Sequence, residues 1–504
     1  MEPIRATKFV MAKVRSGTLP PLVIDPASSL PLNAQLVSSL REAIRTGRLR
    51  PGRLLPPTRE VALQLHIGRN TVVDAYSELV AEGLLEAHGR LGTFVAQQVK
   101  RTPAKDTTRP RAARRLGSRS VAALTPRQDW RLGQSGSQLL PLHVWRAACR
   151  EAGRHLPPSD YGDPKGLAAL RESIAAWLRR QRGTDHEASQ IIVTHGTGAA
   201  LEILARELIQ PGDLCAVESP GYARAAAVFK AVGGTLLHVP VDEQGMRVEN
   251  AFAGRAPTVL HLTAAHQYPT GVRLSGSRRV ELATLARRKG TLVIENEYDH
   301  EFIYEGQNHA ALAATMPAHA VLVSTFAKAI SPALRMGFIA APSTVANALA
   351  QAVERDRSHA SWSLQVSLQW LLASGELQRH LRRVRRHHAS QRDALLAALR
   401  ERCPTVRASG QQGGLHLVLS TGQPARDKQL AAQLGKLGVA LQTVRKFGGN
   451  SDEVLLGYGH MDAGDIEQAV GLLGQALSML QNAGRRVRQG ELKGAVDLGS
   501  RLRA

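Results

Sequence analysis

The sequence predicts an α/β protein in two parts. A small winged helix-turn-helix comes first, followed by a large, mainly parallel α/β sheet domain with a smaller α+β domain. Three observations carry this. Three helical patterns and two short strand patterns fall within residues 26–97. Short apolar runs then alternate with amphipathic helical segments from about 140 to 340, the pattern of strands crossed by helices. A helix-rich stretch (about 345–400) is followed by two further strand-like runs around one helix.

The N-terminal part is read element by element. Residues 1–25 lack periodicity and are expected to be a tail. Leu36, Leu40, Ala43 and Ile44 space a first amphipathic helix, and Gly47 with Pro51-Gly52 ends it. Thr58 is expected to cap a second helix over Arg59–Leu65. A third helix opens at Arg69-Asn70-Thr71, continues through Val72, Ala75, Tyr76 and Leu79, and stops at Gly83. Leu84–Ala87 and Thr93–Val95 pair as strands around His88-Gly89-Arg90-Leu91-Gly92. Residues 98–130 are rich in Arg, Pro, Thr and Ser and read as a basic linker.

In the second part, Ile191–Val193, Leu214–Val217, Val259–Leu262, Thr291–Ile294 and Val321–Val323 read as buried strands. Ala199–Leu208 and Arg279–Arg288 read as helices between them. His416–Leu419 and Val454–Leu456 are the strands of the smaller domain. The end, residues 483–504, is expected to be a basic tail.

Length and composition set bounds. The 504 residues permit two to four domains, and 43% hydrophobic residues is ordinary for a globular chain. No apolar run is long enough to span a bilayer and no signal-peptide core opens the chain. No membrane partner is therefore expected, and a cytoplasmic location is. Cys149, Cys215 and Cys403 are odd in number and widely spaced, the pattern of free thiols. The net charge is +23, and residues 1–130 hold 21 Lys/Arg against 10 Asp/Glu, a net of +11. Such a block favours polyanions through counterion release. A solvated surface in an arginine-favouring composition gives the same bias, and composition leaves both readings open.

Physically, a helix fits the major groove of DNA, with its first residues at bases and phosphates. Arg69, Asn70 and Thr71 are donors at that place. The stretch Leu54-Leu55-Pro56-Pro57-Thr58-Arg59-Glu60-Val61-Ala62, with Gly68-Arg69-Asn70-Thr71-Val72 and Ala75-Tyr76, resembles the GntR-family winged helix over about 65 residues. The resemblance implies contacts to double-stranded operator DNA from Arg59, Arg69, Asn70, Thr71 and the wing turn His88-Gly89, with Arg90 adding charge where that wing usually has Gly. Pro57 stands where a small hydroxyl residue is usual.

Residues 131–482 resemble a fold-type I, pyridoxal-phosphate-dependent aminotransferase domain. The combination resembles the MocR-like regulators. The matching stretches include Tyr161-Gly162-Asp163-Pro164-Lys165-Gly166, His266-Gln267-Tyr268-Pro269-Thr270-Gly271, Glu295-Asn296-Glu297-Tyr298-Asp299, and Ser324-Thr325-Phe326-Ala327-Lys328 through Arg335-Met336-Gly337. The resemblance implies pyridoxal 5'-phosphate as cofactor, with Lys328 as its Schiff-base lysine. Arg335, Gly196, Thr197 and Thr325 would hold the phosphate, Tyr222 would stack on the ring and Tyr298 would bond its hydroxyl. Taken singly, each has a plainer reading, as a surface lysine or arginine or a packing tyrosine. Their joint order and the Lys328–Arg335 spacing distinguish the cofactor reading. No metal site is expected.

The family has Asp where this chain has Asn296, the residue facing the pyridine nitrogen. A carboxylate keeps that nitrogen protonated, so the ring can absorb carbanion electrons; a neutral amide would donate to an unprotonated nitrogen. On a strand Asn296 and Tyr298 share one face while Glu295 and Glu297 take the other, so neither glutamate substitutes. Ala327 replaces the usual Ser. Leu455 occupies the place where those enzymes hold a substrate carboxylate with Arg; Arg445 is a conceivable stand-in, but a solvent-facing arginine is the favoured reading. The basic, His-rich helix through His380, His387 and His388 reads as a solvated face.

Together these readings describe a regulator that binds operator DNA and senses pyridoxal phosphate or an amine or amino acid adduct. The resemblance implies a head-to-tail homodimer. Two alternatives stay open at this point. One is an active aminotransferase carrying a DNA-binding domain. The other is a DNA-binding protein whose second domain has lost the cofactor and only dimerises.

Overall fold

The structure, a computed structural model, describes residues 19, 20, 22, 24, 25, 28, 30–97, 126–136, 139–306 and 309–501, with the side chains of Arg90 and 483–501 outside the description. The expected tail at 1–25 and linker at 98–130 lie almost wholly outside these residues. The chain divides into two compact units, residues 1–123 and 124–504.

The first unit packs α1 (Leu32–Arg45), α2 (Thr58–Leu65) and α3 (Arg69–Ala81) with a two-stranded wing, β1 (Leu85–Ala87) and β2 (Thr93–Val95). Leu36, Leu40, Leu49, Val61, Val72 and Leu79 fill its core. The buried Tyr76 hydroxyl donates to Pro56 O at 3.1 Å, fixing α3 against the segment that leads into α2. Thr58 does not cap α2: it is the first helical residue, Pro57 precedes it, and no side-chain cap bond forms. A proline already set near helical φ opens this helix without a hydroxyl.

The second unit is built on an eight-stranded mixed sheet. Its strands are β3 (Ile191–Thr194), β4 (Leu214–Ser219), β5 (Thr235–Asp242), β6 (Gly245–Met246), β7 (Val259–Leu262), β8 (Leu292–Glu297), β9 (Ala320–Thr325) and β10 (Gly337–Ala340), in the order β3-β10-β9-β8-β7-β4-β5-β6. The five from β9 to β5 are mutually parallel, and only β10 and β6 run against them. Helices α4 (Leu142–Gly153) and α5 (Ala168–Arg182) precede the first strand, and the crossover helices include α6 (Thr197–Leu208), α7 (Ala223–Ala231) and α8 (Gly276–Lys289). Strands buried on both faces explain the unbroken apolar runs.

The helix-rich stretch resolves into α9 (Ser343–Asp356), α10 (Trp362–Ala373) and α11 (Glu376–Arg402). A four-stranded antiparallel sheet follows, β11 (Arg407–Ser409), β12 (His416–Ser420), β13 (Gln442–Thr443) and β14 (Val454–Gly457), ordered β11-β12-β14-β13. Helices α12 (Pro424–Lys436) and α13 (Ala463–Arg501) cover it. Two expectations shift here. Residues 126–130 belong to this unit: Gln128–Asp129 pairs with Val439–Ala440, and Trp130 is fully buried among α11, β12 and α13. The segment expected as a basic tail from 483 carries α13 onward to Arg501.

α11 is not simply a solvated basic face. His380 is buried and bonds Ala329 O at 2.8 Å, and His388 is buried beside Gln391 at 3.0 Å. Burial lowers both imidazoles, His388 to about 4, so both stay neutral. Cys149, Cys215 and Cys403 are free thiols, and no described helix is long and apolar enough to cross a membrane.

Behind β8 lies a buried charge pair. The Arg182 guanidinium donates through Nε to Glu297 at 3.0 Å and through a second, closer bond, and both side chains are 0% exposed. Deleting one member strands the other charge in the interior. Arg182→Met is expected to cost about 3–5 kcal/mol in denaturant unfolding, with most of it recovered by Arg182→Met/Glu297→Leu. Equal losses in the single and double variants would show that the pair itself is not what matters.

Candidate functional site

In the first unit, the predicted contact residues occupy two exposed places. Arg69 and Asn70 are exposed at the start of α3, and Thr71 behind them is half-buried. Gly68 precedes the helix and no side chain caps it, so its first-turn N–H groups face outward with the positive end of the helix dipole. Arg59 is exposed on α2. At the wing tip, Gly89–Leu91 forms one tight turn closed by His88 N donating to Gly92 O at 2.9 Å. His88 is exposed, 3.3 Å from Glu86 and edge-on to Phe94 at 5.5 Å. Gly89 is exposed; the Arg90 side chain is outside the described residues.

In the second unit, the loops following the parallel strands enclose a chamber of about 220 Å³. Gly196, Thr197, Tyr222, Asn296, Tyr298, Thr325, Lys328 and Arg335 all line it.

One end is built for an anion. Gly196, at φ 83°, turns the chain from β3 into α6, and Arg335 sits opposite in the left-handed region at φ 51°. The two are brought together by Gly337: a Cβ there would lie 2.5 Å from Ser324 O and 3.0 Å from Gly196 Cα. Only glycine permits that approach. The start of α6 adds backbone N–H groups and a dipole. Thr325 differs from expectation, because its hydroxyl is committed to backbone, donating to Met336 O at 3.2 Å and accepting from Ala327 N at 3.1 Å. It braces the Lys328 loop as well as lining the chamber.

At the centre, Lys328 Nζ donates to Gly133 O. Desolvation lowers its pKa to about 8, with the Asp299 charge opposing the shift. Tyr298, one residue beyond β8, places its hydroxyl 3.2 Å from His266 Nδ1, which also meets Asp299 Oδ2 at 3.0 Å. Burial raises the Tyr298 phenol well above the ordinary range, so it stays a neutral donor.

The far end is neutral. Asn296 Nδ2 lies 3.3 Å from His261 Nε2, while Asn296 Oδ1 is buried without a protein partner. Burial lowers His261 to about 4, and its own backbone carbonyl is its one opposing contact. Tyr222 lies nearly parallel to His261, at 6.4 Å and 22°. On the other face of β8, Glu297 pairs with Arg182 and Glu295 accepts from Leu312 N at 2.7 Å, so neither reaches the chamber.

Sequence reasoning left out Tyr268, Asp299 and His416, which line the chamber, and His261 and His266, which hold its lining residues. Tyr268, Asp299 and His266 stood in stretches already singled out, and His261 is a polar residue inside an apolar strand. Leu132–Gln134, also in the wall, carries no signal in its composition. Arg445 is no stand-in clamp: it is exposed and tied to Asp452 at 2.7 and 2.9 Å. Leu455 is fully buried beside Val418 and Val444.

Residues 131–473 match the family aminotransferase class I and II, and residues 32–95 match bacterial regulatory proteins, gntR family. The HTH-type pyridoxine biosynthesis transcriptional regulator PdxR of Corynebacterium glutamicum is 30% identical, covering 91% of this chain and 99% of its own. The probable rhizopine catabolism regulatory protein MocR of Rhizobium meliloti is 29% identical, covering 92% and 97%. Among solved structures, the α-aminoadipate aminotransferase LysN of Thermus thermophilus aligns with a TM-score of 0.64 at 24% identity, over 71% of this chain and 93% of that one.

The residues present fit pyridoxal phosphate. An arginine and a helix start would suit its phosphate, a lysine with a lowered pKa would suit its aldehyde, and the Asn296 amide, whose oxygen is buried without a protein partner, lies in the same wall. The lysine can be tested alone. In cofactor-free protein, capture of an aldehyde phosphate by Lys328 should speed up about tenfold from pH 7 to 9 and then level off, whereas an ordinary lysine would gain about a hundredfold. Stopped-flow absorbance reads the difference; an unlevelled hundredfold rise contradicts the lowered pKa.

Proposed function

Because the chain belongs to the aminotransferase class I and II family and carries a gntR-family module ahead of that domain, we propose that it senses pyridoxal phosphate, or an amine that reacts with it, and adjusts its grip on operator DNA accordingly. It is a transcriptional regulator of the MocR-like type. In this reading, Gly196, Thr197 and Arg335 hold the phosphate and Lys328 supplies the tethering amine. Tyr222 covers the ring, Tyr298 meets its hydroxyl and Asn296 meets its nitrogen. Thr325 supports this set through the Lys328 loop. When bound, the cofactor supplies an electrophilic carbonyl carbon and absorbs visible light.

The observation that carries the reading is the convergence of Lys328, Arg335, Asn296 and Tyr298 on one chamber. DNA contacts come from Arg59, Arg69, Asn70, Thr71, His88, Gly89 and Arg90. A second copy of the chain completes the assembly, head to tail. Leu142, Leu156 and Tyr161 support this, being 58%, 92% and 65% exposed on the second unit. Such a protein works in the cytoplasm.

Asn296 separates this reading from an efficient aminotransferase. An amide carries no charge in either orientation, so it lacks the charge-assisted bond that holds a proton on the ring nitrogen. The cofactor-loaded protein is expected to exchange amino groups slowly. Asn296→Asp should raise that rate about tenfold or more, the worth of turning a neutral hydrogen bond into a charged one. Ordinary aminotransferase turnover by the unaltered protein, in a coupled amino acid–keto acid assay, would sink the sensor reading.

For the DNA module, Arg69→Ala should weaken binding to duplexes selected by the protein from a random pool and lower the salt slope by about 0.9, one phosphate contact. An unchanged slope would remove Arg69 from the phosphate contacts.

A further inference from the structure

The charges around the chamber restrict what enters beside the cofactor. Among the described lining residues, three carry formal charge: Lys328, Arg335 and Asp299. His416 also lines the wall, but burial lowers it to about 4 and it stays neutral. On the cofactor reading above, Lys328 is used by the carbonyl and Arg335 by the phosphate. A phosphate monoester brings about two negative charges, more than one arginine cancels. The charge left facing the remaining space is Asp299, 2% exposed and held by His266 at 3.0 Å.

Among the described residues, the nearby basic groups are otherwise committed: His266 already bonds Asp299, and Arg224, whose guanidinium lies against Gly198 of the wall, is held by Glu202 at 2.5 Å. Arg131 at the mouth is held bidentately by Asp129, at 2.8 and 2.6 Å. Arg445 is held in the same way by Asp452 at 2.7 and 2.9 Å, and Leu455 offers no charge. A carboxylate brought into this space would be desolvated beside a second carboxylate, with no uncommitted cation among the described residues to pair. An ammonium would gain a partner.

We infer that the ligand class of this chamber is a primary amine with a second positive group and no carboxylate, and that Asp299 receives the second group. This rests on the reading of the chamber as a pyridoxal phosphate site and narrows its effector from amines and amino acids in general to diamines.

Three probes share a three-carbon frame and differ in the far group: 1,3-diaminopropane, propylamine and β-alanine. Each is titrated into full-length, pyridoxal-phosphate-loaded protein at one pH, and the midpoint is read from the visible band and from Tm. The diamine should bind most tightly and β-alanine most weakly, at least tenfold apart. Asp299→Asn should bring diamine and propylamine to within about threefold of each other. β-Alanine binding as tightly as the diamine overturns the inference, as does a diamine preference that survives in Asp299→Asn. If that variant fails to fold, the ranking in the unaltered protein decides. Loss of the parent reading looks different: no visible band that Lys328→Ala removes. The Tm shifts of the cofactor-free protein with the same three probes then test the charge preference alone.

Discussion

A single strand, β8, sets the chemistry of the second unit, and it is held from behind. Its side chains alternate, so Glu295 and Glu297 point one way and Asn296 the other. Glu297 is locked to Arg182 where water does not reach, and Glu295 accepts a backbone N–H. Slipping the register by one residue would bring a glutamate into the chamber and leave an amide opposite a buried guanidinium. Pairing on both flanks, His261 with Ile294 and Asn296 with Val323, fixes the same alignment. The neutral amide at the far end of the chamber is thus enforced by an ion pair that does not line it.

The same strand shows how far the sequence can be read. Its period of two assigns the faces of Asn296 and Tyr298 with no coordinates, and the apolar runs on either side were legible as buried strands. The order of Lys328, Arg335 and the glycine turn carried the cofactor resemblance. Other features depend on long-range approach. Gly337 meets Gly196 across more than a hundred residues, and His261 meets Asn296 from a neighbouring strand. No local pattern encodes either meeting. The Thr325 hydroxyl and the His-rich helix were misjudged for a related reason. A polar side chain reads as available in sequence, but its backbone and packing partners decide whether it is.

The two halves have different physical tasks. The winged module offers exposed donors at a helix start and at a tight turn, suited to a polyanion. The chamber's described lining carries three formally charged side chains, Lys328, Arg335 and Asp299. A sensor needs the second to bias the first, and a ligand shifts such an equilibrium only by its differential affinity for the two states. On the proposed reading, an amide at position 296 would suit this task, since it would keep the fit to the cofactor while weakening the chemistry that consumes an effector.

The central claim is that occupancy of the chamber through Lys328 changes the hold on DNA. Fluorescence anisotropy of a selected duplex, with and without pyridoxal phosphate, tests it in the unaltered protein and in Lys328→Ala. The account predicts a change in affinity of about fivefold or more in the first, the lower end of ordinary coupling, and none in the second. Equal affinities with and without cofactor in the unaltered protein, with its visible band present, would contradict it.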